Sequence, residues 1–363
     1  MGYNGLPGAS QQEPADLDAR LDLARRHVET LLPGAMAAEG PQPLYLLATG
    51  TGLGERFMAL RGRLAPLGLT PMLRTHSGRP ALLLVPTPPP GRWAWQTSLL
   101  LLLATVATTF YAGYLQSAAL VRAGFLDSAV AGGAAFSLSV LVILGAHEMG
   151  HKLVAVRRGI DASLPYFLPM APPIGTMGAV IVTRTPAPNR DGLMDLGASG
   201  PIAGFLVAVP VLLYGVSRSF IVHPERLGAM VSIPDPLLIQ AMIRLILDPP
   251  SGHAVLGHPV LFAGWIGLVV TSINLLPAGM LDGGHAVRAA FGPRAHALLS
   301  YAGVAVAVLM GFYPMAILIA LLMRRGHVGP LDDLSPLSSS RRLVGAVLIA
   351  VFLLSAVVFP PPF

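Results

Sequence analysis

Residues 147–151 read His147-Glu148-Met149-Gly150-His151, a His-Glu-x-x-His pattern. Positions four apart on a helix share a face, so His147 and His151 can offer two imidazole nitrogens to one metal ion. Glu148 stands beside the first of them, where a carboxylate can take the proton of an attacking water. That combination is the chemistry of metal-assisted hydrolysis. Ser128 to Ala146, immediately before the pattern, are almost all small or apolar. The pattern therefore closes a membrane-spanning helix instead of lying on a soluble one. A histidine in an apolar helix is more often packed or hydrogen-bonded than a ligand, but depth changes the balance. Each ionisable side chain near the bilayer centre costs about 2.5–3.5 kcal/mol on insertion scales, and three within five residues require a reason.

A catalytic zinc takes three protein ligands and keeps one position open, so two histidines leave one ligand to find. The extended H-E-x-x-H-x-x-G-x-x-H pattern fails, because Val154 and Arg157 occupy its later positions. After Glu148 the next and last glutamate is Glu225, expected on the opposite membrane face. Asp161, Asp191 and Asp195 read as parts of connections on the near side. Asp282 alone ends an apolar span, and that span ends on the same side as the one carrying His147. Pro277, Gly279, Gly283 and Gly284 loosen the backbone around it. Asn274, two turns earlier, either donates a hydrogen bond to a substrate carbonyl or oxyanion, or makes an interhelical hydrogen bond. His285 is either a support behind a ligand or, as the better expectation, a loop residue facing water.

The elements around these residues follow from composition. Of 363 residues, 53% are hydrophobic and 12% charged, with a mean hydropathy of +0.65; these are values of a polytopic membrane protein. The net charge of +6 comes from arginines in short loops between apolar runs, which speaks for membrane orientation and against a nucleic-acid partner. Cysteine is absent, so thiolate metal sites and disulfides are excluded. No basic-then-apolar signal sequence opens the chain, and the first ninety residues are expected to stay on the side where they are made. Spans are expected near 94–120, 128–154, 196–216, 260–276 and 343–358, with 296–323 forming one kinked helix or two. Arg157 and Arg158 place the metal-bearing end of the second span in the cytoplasm. Leu237–Leu247 is a short interfacial helix.

Residues 163–186 carry six prolines and glycines and a Met177–Thr183 strand that contains Val180-Ile181-Val182-Thr183, and read as a hairpin dipping into the bilayer or as an amphipathic surface loop. Residues 1–14 look disordered. Leu17, Leu21, Ala24, Val28, Leu31 and Leu32 form a helical stripe, and 44–48, 69–74 and 81–85 suit strands around a helix at 55–64. Gly50-Thr51-Gly52-Leu53-Gly54 reads as a turn, since Glu55 stands where a nucleotide loop needs its last glycine. Prolines 86, 88, 89 and 90 make a stiff linker. The expected architecture is an all-α polytopic membrane protein of six or seven transmembrane helices. It carries a membrane-dipping β-hairpin and a small N-terminal α/β cytoplasmic domain, 1–92 with its linker; 93–363 form the membrane domain, with its core at about 128–292.

These residues resemble the site-2 protease family of intramembrane zinc metalloproteases. The resemblance rests on His147-Glu148-Met149-Gly150-His151 paired with Asn274…Pro277…Leu281-Asp282-Gly283, on the Gly175-Thr176-Met177-Gly178 hairpin, and on Ser199-Gly200-Pro201. It is nearest in flavour to the bacterial, archaeal and plastid subgroup that includes the plant "ethylene-dependent gravitropism-deficient and yellow-green" proteases, and runs from about Trp93 onward. It implies one zinc ion per chain held by His147, His151 and Asp282, with Glu148 as catalytic acid and base; Asn274, by its position, is the candidate for a second catalytic group. Gly175, Gly178, Val180 and Val182 would meet a substrate by strand addition. It further implies a membrane-protein substrate; the expected location is a prokaryotic cell membrane, with the arginine placement putting the active-site mouth on the cytoplasmic side. Gly279 departs from the pattern, standing where many members carry a second proline. A non-proteolytic metal-binding transporter or scaffold is the rival; it has no need of Glu148, and no internal repeat supports it.

Overall fold

The computed structural model describes residues 13–38, 43–47, 52–87, 93–227, 233–324 and 326–357. Residues 1–12, Gly50, Thr51 and the prolines at 88–90 lie outside these, so the expectations of a disordered start, of most of the glycine turn and of a stiff linker fall outside the described residues. The chain divides into two compact units, 1–91 with 331–336, and 92–330 with 337–363.

The first unit packs α1 (Glu13–Leu31) and α2 (Leu53–Leu64) on a four-stranded antiparallel sheet of β1 (Met36–Ala38), β2 (Leu44–Leu46), β3 (Leu69–His76) and β4 (Arg79–Pro86). The strand order is β1-β2-β4-β3. Ala24, Val28 and Leu32 from the α1 stripe are buried against Phe57, Leu60 and Leu64 of α2 and Leu73, Leu82 and Leu84 of the sheet. Ser77 (φ 49°) and Gly78 (φ 78°) turn β3 into β4; positive φ at both central residues is what a two-residue hairpin loop requires. The edge of β3 is covered by the segment Leu331–Pro336. Leu73 N donates to the Leu331 carbonyl (2.8 Å), and Asp332 pairs alongside Leu73. Nothing in the local composition of 331–336 foretells this partnership.

The second unit is mostly helical: α3 (Trp95–Arg122), α4 (Ala129–Arg157), β5 (Tyr166–Pro169), β6 (Thr176–Val180), α5 (Arg190–Ser217), β7 (Phe220–Val222), α6 (Leu237–Ile246), β8 (Ala254–Leu256), α7 (Pro259–Asn274), α8 (Asp282–Leu309), α9 (Tyr313–Met323) and α10 (Ser339–Ser355). Three of these, α3, α4 and α5, are long and apolar enough to cross a membrane. At 28 or 29 residues and 1.5 Å per residue each measures about 42 Å, more than the roughly 30 Å hydrocarbon core. Leu100, Leu138 and Leu206 stand more than half exposed on them. Such a belt is a liability in water and the rule against lipid.

Several expectations shift. The third long helix starts at Arg190, so Asp191 and Asp195 lie on its first two turns and not in a connection. Asp195 there binds Arg158, at the end of α4, and Arg341 on α10. Residues 296–323 fall on two helices, separated at Gly311 (φ 84°). The first of them begins at Asp282 and kinks at Gly292 (φ 81°), before Pro293. The strand of the hairpin is Thr176–Val180, ending three residues before the expected Met177–Thr183 strand does. Ile181 leaves it for a different partner, described below.

Candidate metal centre

His147, Glu148 and His151 sit in the C-terminal half of α4, all buried. Their fourth partner arrives from the far side of a bend. After α7 ends at Asn274, residues 275–281 fold back, and Asp282 opens α8. Gly283 and Gly284 make that bend possible. A Cβ on either would run into the carbonyls of Leu275 or Gly279, so the glycines tighten the turn where the sequence pattern suggested only loosening.

Asp282 then reaches both imidazoles. Its Oδ2 lies 3.2 Å from His147 Nε2, and its Oδ1 lies 3.3 Å from His151 Nε2. Among the described residues, His147, His151 and Asp282 are the cluster whose ligand atoms all fall within 4.8 Å of one another. The donor set fits zinc. Two ligands each about 2.0–2.1 Å from a tetrahedral zinc lie about 3.3 Å apart. The hydrogen-bonding also fits. His151 Nδ1 is 2.8 Å from the Leu196 carbonyl, which can only accept, so Nδ1 carries the proton and a neutral ring turns its Nε2 lone pair toward the Asp282 carboxylate. Two acceptors face to face call for a cation between them. An imidazole oriented through its second nitrogen by a backbone carbonyl is the usual support of a metal-ligating histidine.

Helix α5 forms the back of the site through glycines on one face. A Cβ at Gly200 would overlap the His151 imidazole, one at Gly204 would come 3.2 Å from His147 Nδ1, and one at Gly197 would come 2.7 Å from the Asp282 carbonyl. On α4, a Cβ at Gly150 would meet the Ser199 carbonyl at 2.5 Å. Small residues let the helices approach this closely, and here they do so at each of the three candidate ligands. Gly200→Ala should therefore displace His151 and lower zinc affinity about 10–100-fold, the range seen when support of a ligand is lost. Competition against a fluorescent zinc chelator measures this; unchanged affinity would show that the back wall yields freely.

The other expected site residues separate. Asn274 Nδ2 lies 3.3 Å from His147 Nε2, placing the amide at the metal-facing side of the cluster. Val180 ends β6 and is half exposed beside Met177, the most open residue of the strand. Gly178 (φ 105°) has open space around its Cβ position. Gly175 is different. Its carbonyl accepts from Thr108 Oγ1 (2.7 Å), and a Cβ would press on the Thr108 and Thr109 backbone of α3. It anchors the hairpin turn to α3 and does not face the strand edge. Val182 is also engaged: its N–H donates to Ser163 Oγ, and its carbonyl accepts from Ser163 N, both at 2.9 Å. Its backbone has nothing left to pair with an incoming strand. His285 is not a loop residue facing water; it lies in the first turn of α8 with Nδ1 2.7 Å from His327 Nε2.

Two contributors are backbone groups that no residue type announces. One is the Leu196 carbonyl on His151. The other is the Ile181 amide, which donates a hydrogen bond to the Glu148 carboxylate. The hairpin thus holds the carboxylate that lies next to the metal ligands.

The sequence profile described as Peptidase family M50 matches residues 135–318, about half of the chain and all four of these side chains. The chain is 34% identical over 244 residues to "Probable zinc metalloprotease EGY1, chloroplastic" of Arabidopsis thaliana, covering 63% of this chain and 43% of that one. It is 28% identical to "Probable zinc metalloprotease EGY2, chloroplastic" of the same plant, over 62% and 42%. With "Probable zinc metalloprotease EGY3, chloroplastic" of Oryza sativa subsp. japonica the identity is 32%, over 59% and 40%. The match spans about two-fifths of the length of these curated relatives. No solved structure matches the chain. With the matched segment running from the second turn of α4 into α9 and containing the whole ligand cluster, the chain belongs to peptidase family M50.

Proposed function

We propose that the chain is an intramembrane zinc metalloprotease that hydrolyses peptide bonds in or near transmembrane segments of membrane proteins. The observation that carries this is the meeting of His147, His151 and Asp282 beside Glu148 inside an apolar helix long enough to span a bilayer. Zinc, when bound, supplies a Lewis acid for the scissile carbonyl and brings the pKa of a water toward neutrality, to about 7 in well-studied sites. His147, His151 and Asp282 hold it. Glu148, kept in place by the Ile181 amide, takes the proton of the attacking water and returns it to the leaving amine. The Asn274 amide donates to the carbonyl oxygen as negative charge develops there.

A transmembrane substrate must unwind before cleavage, and unpaired backbone groups in lipid cost several kcal/mol each. The Thr176–Val180 strand, with one edge paired to β5, offers the other edge for strand addition. We read α3, α4, α5, α7, the later part of α8, α9 and α10 as six or seven spans. Residues 1–92 form a cytoplasmic domain. Arg157 and Arg158, with Arg324, Arg341 and Arg342, put the metal end on the cytoplasmic side of what would be a prokaryotic cell membrane. The transporter or scaffold reading is not favoured, because a metal-binding scaffold has no use for a buried carboxylate held next to its ligands.

Reconstitution tests the proposal. The chain in proteoliposomes with a labelled transmembrane peptide should release fragments ending within the apolar stretch. Cleavage should stop on chelation and return with zinc, and Val180→Pro should slow it. Cleavage that ignores chelation rules out the metal mechanism, and full speed in Val180→Pro rules out strand addition.

A further inference from the structure

A cavity of about 400 Å3 lies between α8 and α9, lined by none of the candidate ligands and entirely within the second unit. Its polar lining is one-signed: Arg288, Arg324, His296 and His327, with Ser300 and Tyr301, and no carboxylate among the described residues. Arg288 and Ser300 are deeply buried, whereas Arg324 and Tyr301 stand exposed at the rim. Burial, followed by the neighbouring His285, His296 and Arg288, pushes the His327 pKa down to about 3. The ring is therefore neutral at neutral pH, and the exposed Arg324 supplies the positive charge at the mouth. The remaining wall is apolar, with Ala297, Val304, Ala320 and Met323 from the two helices.

A cationic end and an aliphatic wall match an amphiphile with an anionic head. Arginine is suited to phosphate because its planar fork donates two parallel hydrogen bonds. Basic pockets between membrane helices near the cytoplasmic surface are a recognised setting for anionic headgroups. The volume falls within the range of ordinary small-molecule sites. We infer that this cavity binds the phosphate headgroup of an anionic phospholipid, with Arg324 on the phosphate and an acyl chain along Val304, Ala320 and Met323.

The cavity also touches the bend that delivers Asp282. Gly279 lines it; the Gly279 carbonyl accepts from His296 Nε2 (3.0 Å), and its N–H donates to Ser300 Oγ (3.1 Å). A bound headgroup therefore rests on the residues that brace the 275–281 bend.

The binding test is independent of protease activity. Native mass spectrometry of the full chain in detergent, titrated with dioleoyl phosphatidylglycerol or dioleoyl phosphatidylcholine, should show one phosphatidylglycerol held in clear preference. Arg324→Gln, on the exposed rim, should weaken that binding about fivefold, the effect of roughly one basic side chain near an anionic headgroup. Retention of the lipid in millimolar inorganic phosphate supports the headgroup assignment. Displacement by phosphate, with no preference between the two lipids, assigns the cavity to free phosphate and overturns the lipid reading. Equal binding of both lipids, or a lipid affinity untouched by Arg324→Gln, overturns the proposal altogether.

Discussion

Replacing Glu148 by glutamine is expected to lower peptide hydrolysis about 10²–10⁴-fold, the usual contribution of a positioned acid and base. Metal content should stay near that of the wild type. Glutamine keeps the shape of the side chain and can still accept the hydrogen bond that Ile181 donates to Glu148. What it lacks is the ability to take a proton. Because the carboxylate is buried, its removal also takes away a charge without leaving a hole, so the fold should tolerate the change. Single-turnover cleavage in proteoliposomes, together with zinc determined by mass spectrometry on the same preparation, separates the two quantities. A variant that cleaves at the wild-type rate would remove Glu148 from the mechanism. One that loses its zinc would show that Glu148 acts as a ligand.

The second large effect is expected at Asp282. Alanine there removes the carboxylate whose two oxygens lie 3.2 and 3.3 Å from the facing imidazole nitrogens. Two histidines alone make an incomplete zinc site. Zinc affinity should fall by more than about 10²-fold, beyond the 10–100-fold typical of losing a supporting contact, and activity should follow it down. Glu148→Gln and Asp282→Ala thus differ in a checkable way: the first is inactive with metal, the second inactive without it. Stoichiometric zinc in Asp282→Ala would mean that some other group completes the site.

The chemistry-bearing side chains were legible because metal hydrolysis restricts residue type and spacing. Four positions apart on an apolar helix leaves few readings for His147 and His151, and Asp282 is the one aspartate read as ending an apolar span on the same side. The helices α3, α4 and α5 follow from continuous hydrophobicity, and the strands of the first unit from short apolar runs. What was not legible lies in the backbone. The Leu196 carbonyl that orients His151 and the Ile181 amide that holds Glu148 come from residues whose side chains say nothing of the role. The hairpin strand expected over Met177–Thr183 ends at Val180, although Val180-Ile181-Val182-Thr183 has the stronger strand propensity. Tertiary hydrogen bonds to Ser163 and Glu148 claim 181 and 182 and leave 176–180 to pair. Gly175 looked like a residue for approaching a substrate, yet the close approach it permits is to α3. The capture of 331–336 by the edge of β3 is likewise a long-range pairing with no local signature.

The central claim is that this membrane-embedded cluster cuts membrane proteins. The most direct test is quantitative membrane proteomics of cells carrying the wild-type chain against cells carrying Glu148→Gln. One or a few membrane proteins are predicted to accumulate uncut only with the variant, and the fragments they yield with the wild type should end inside apolar segments. Identical fragment profiles in the two strains, across every growth and stress condition tried, would contradict the claim.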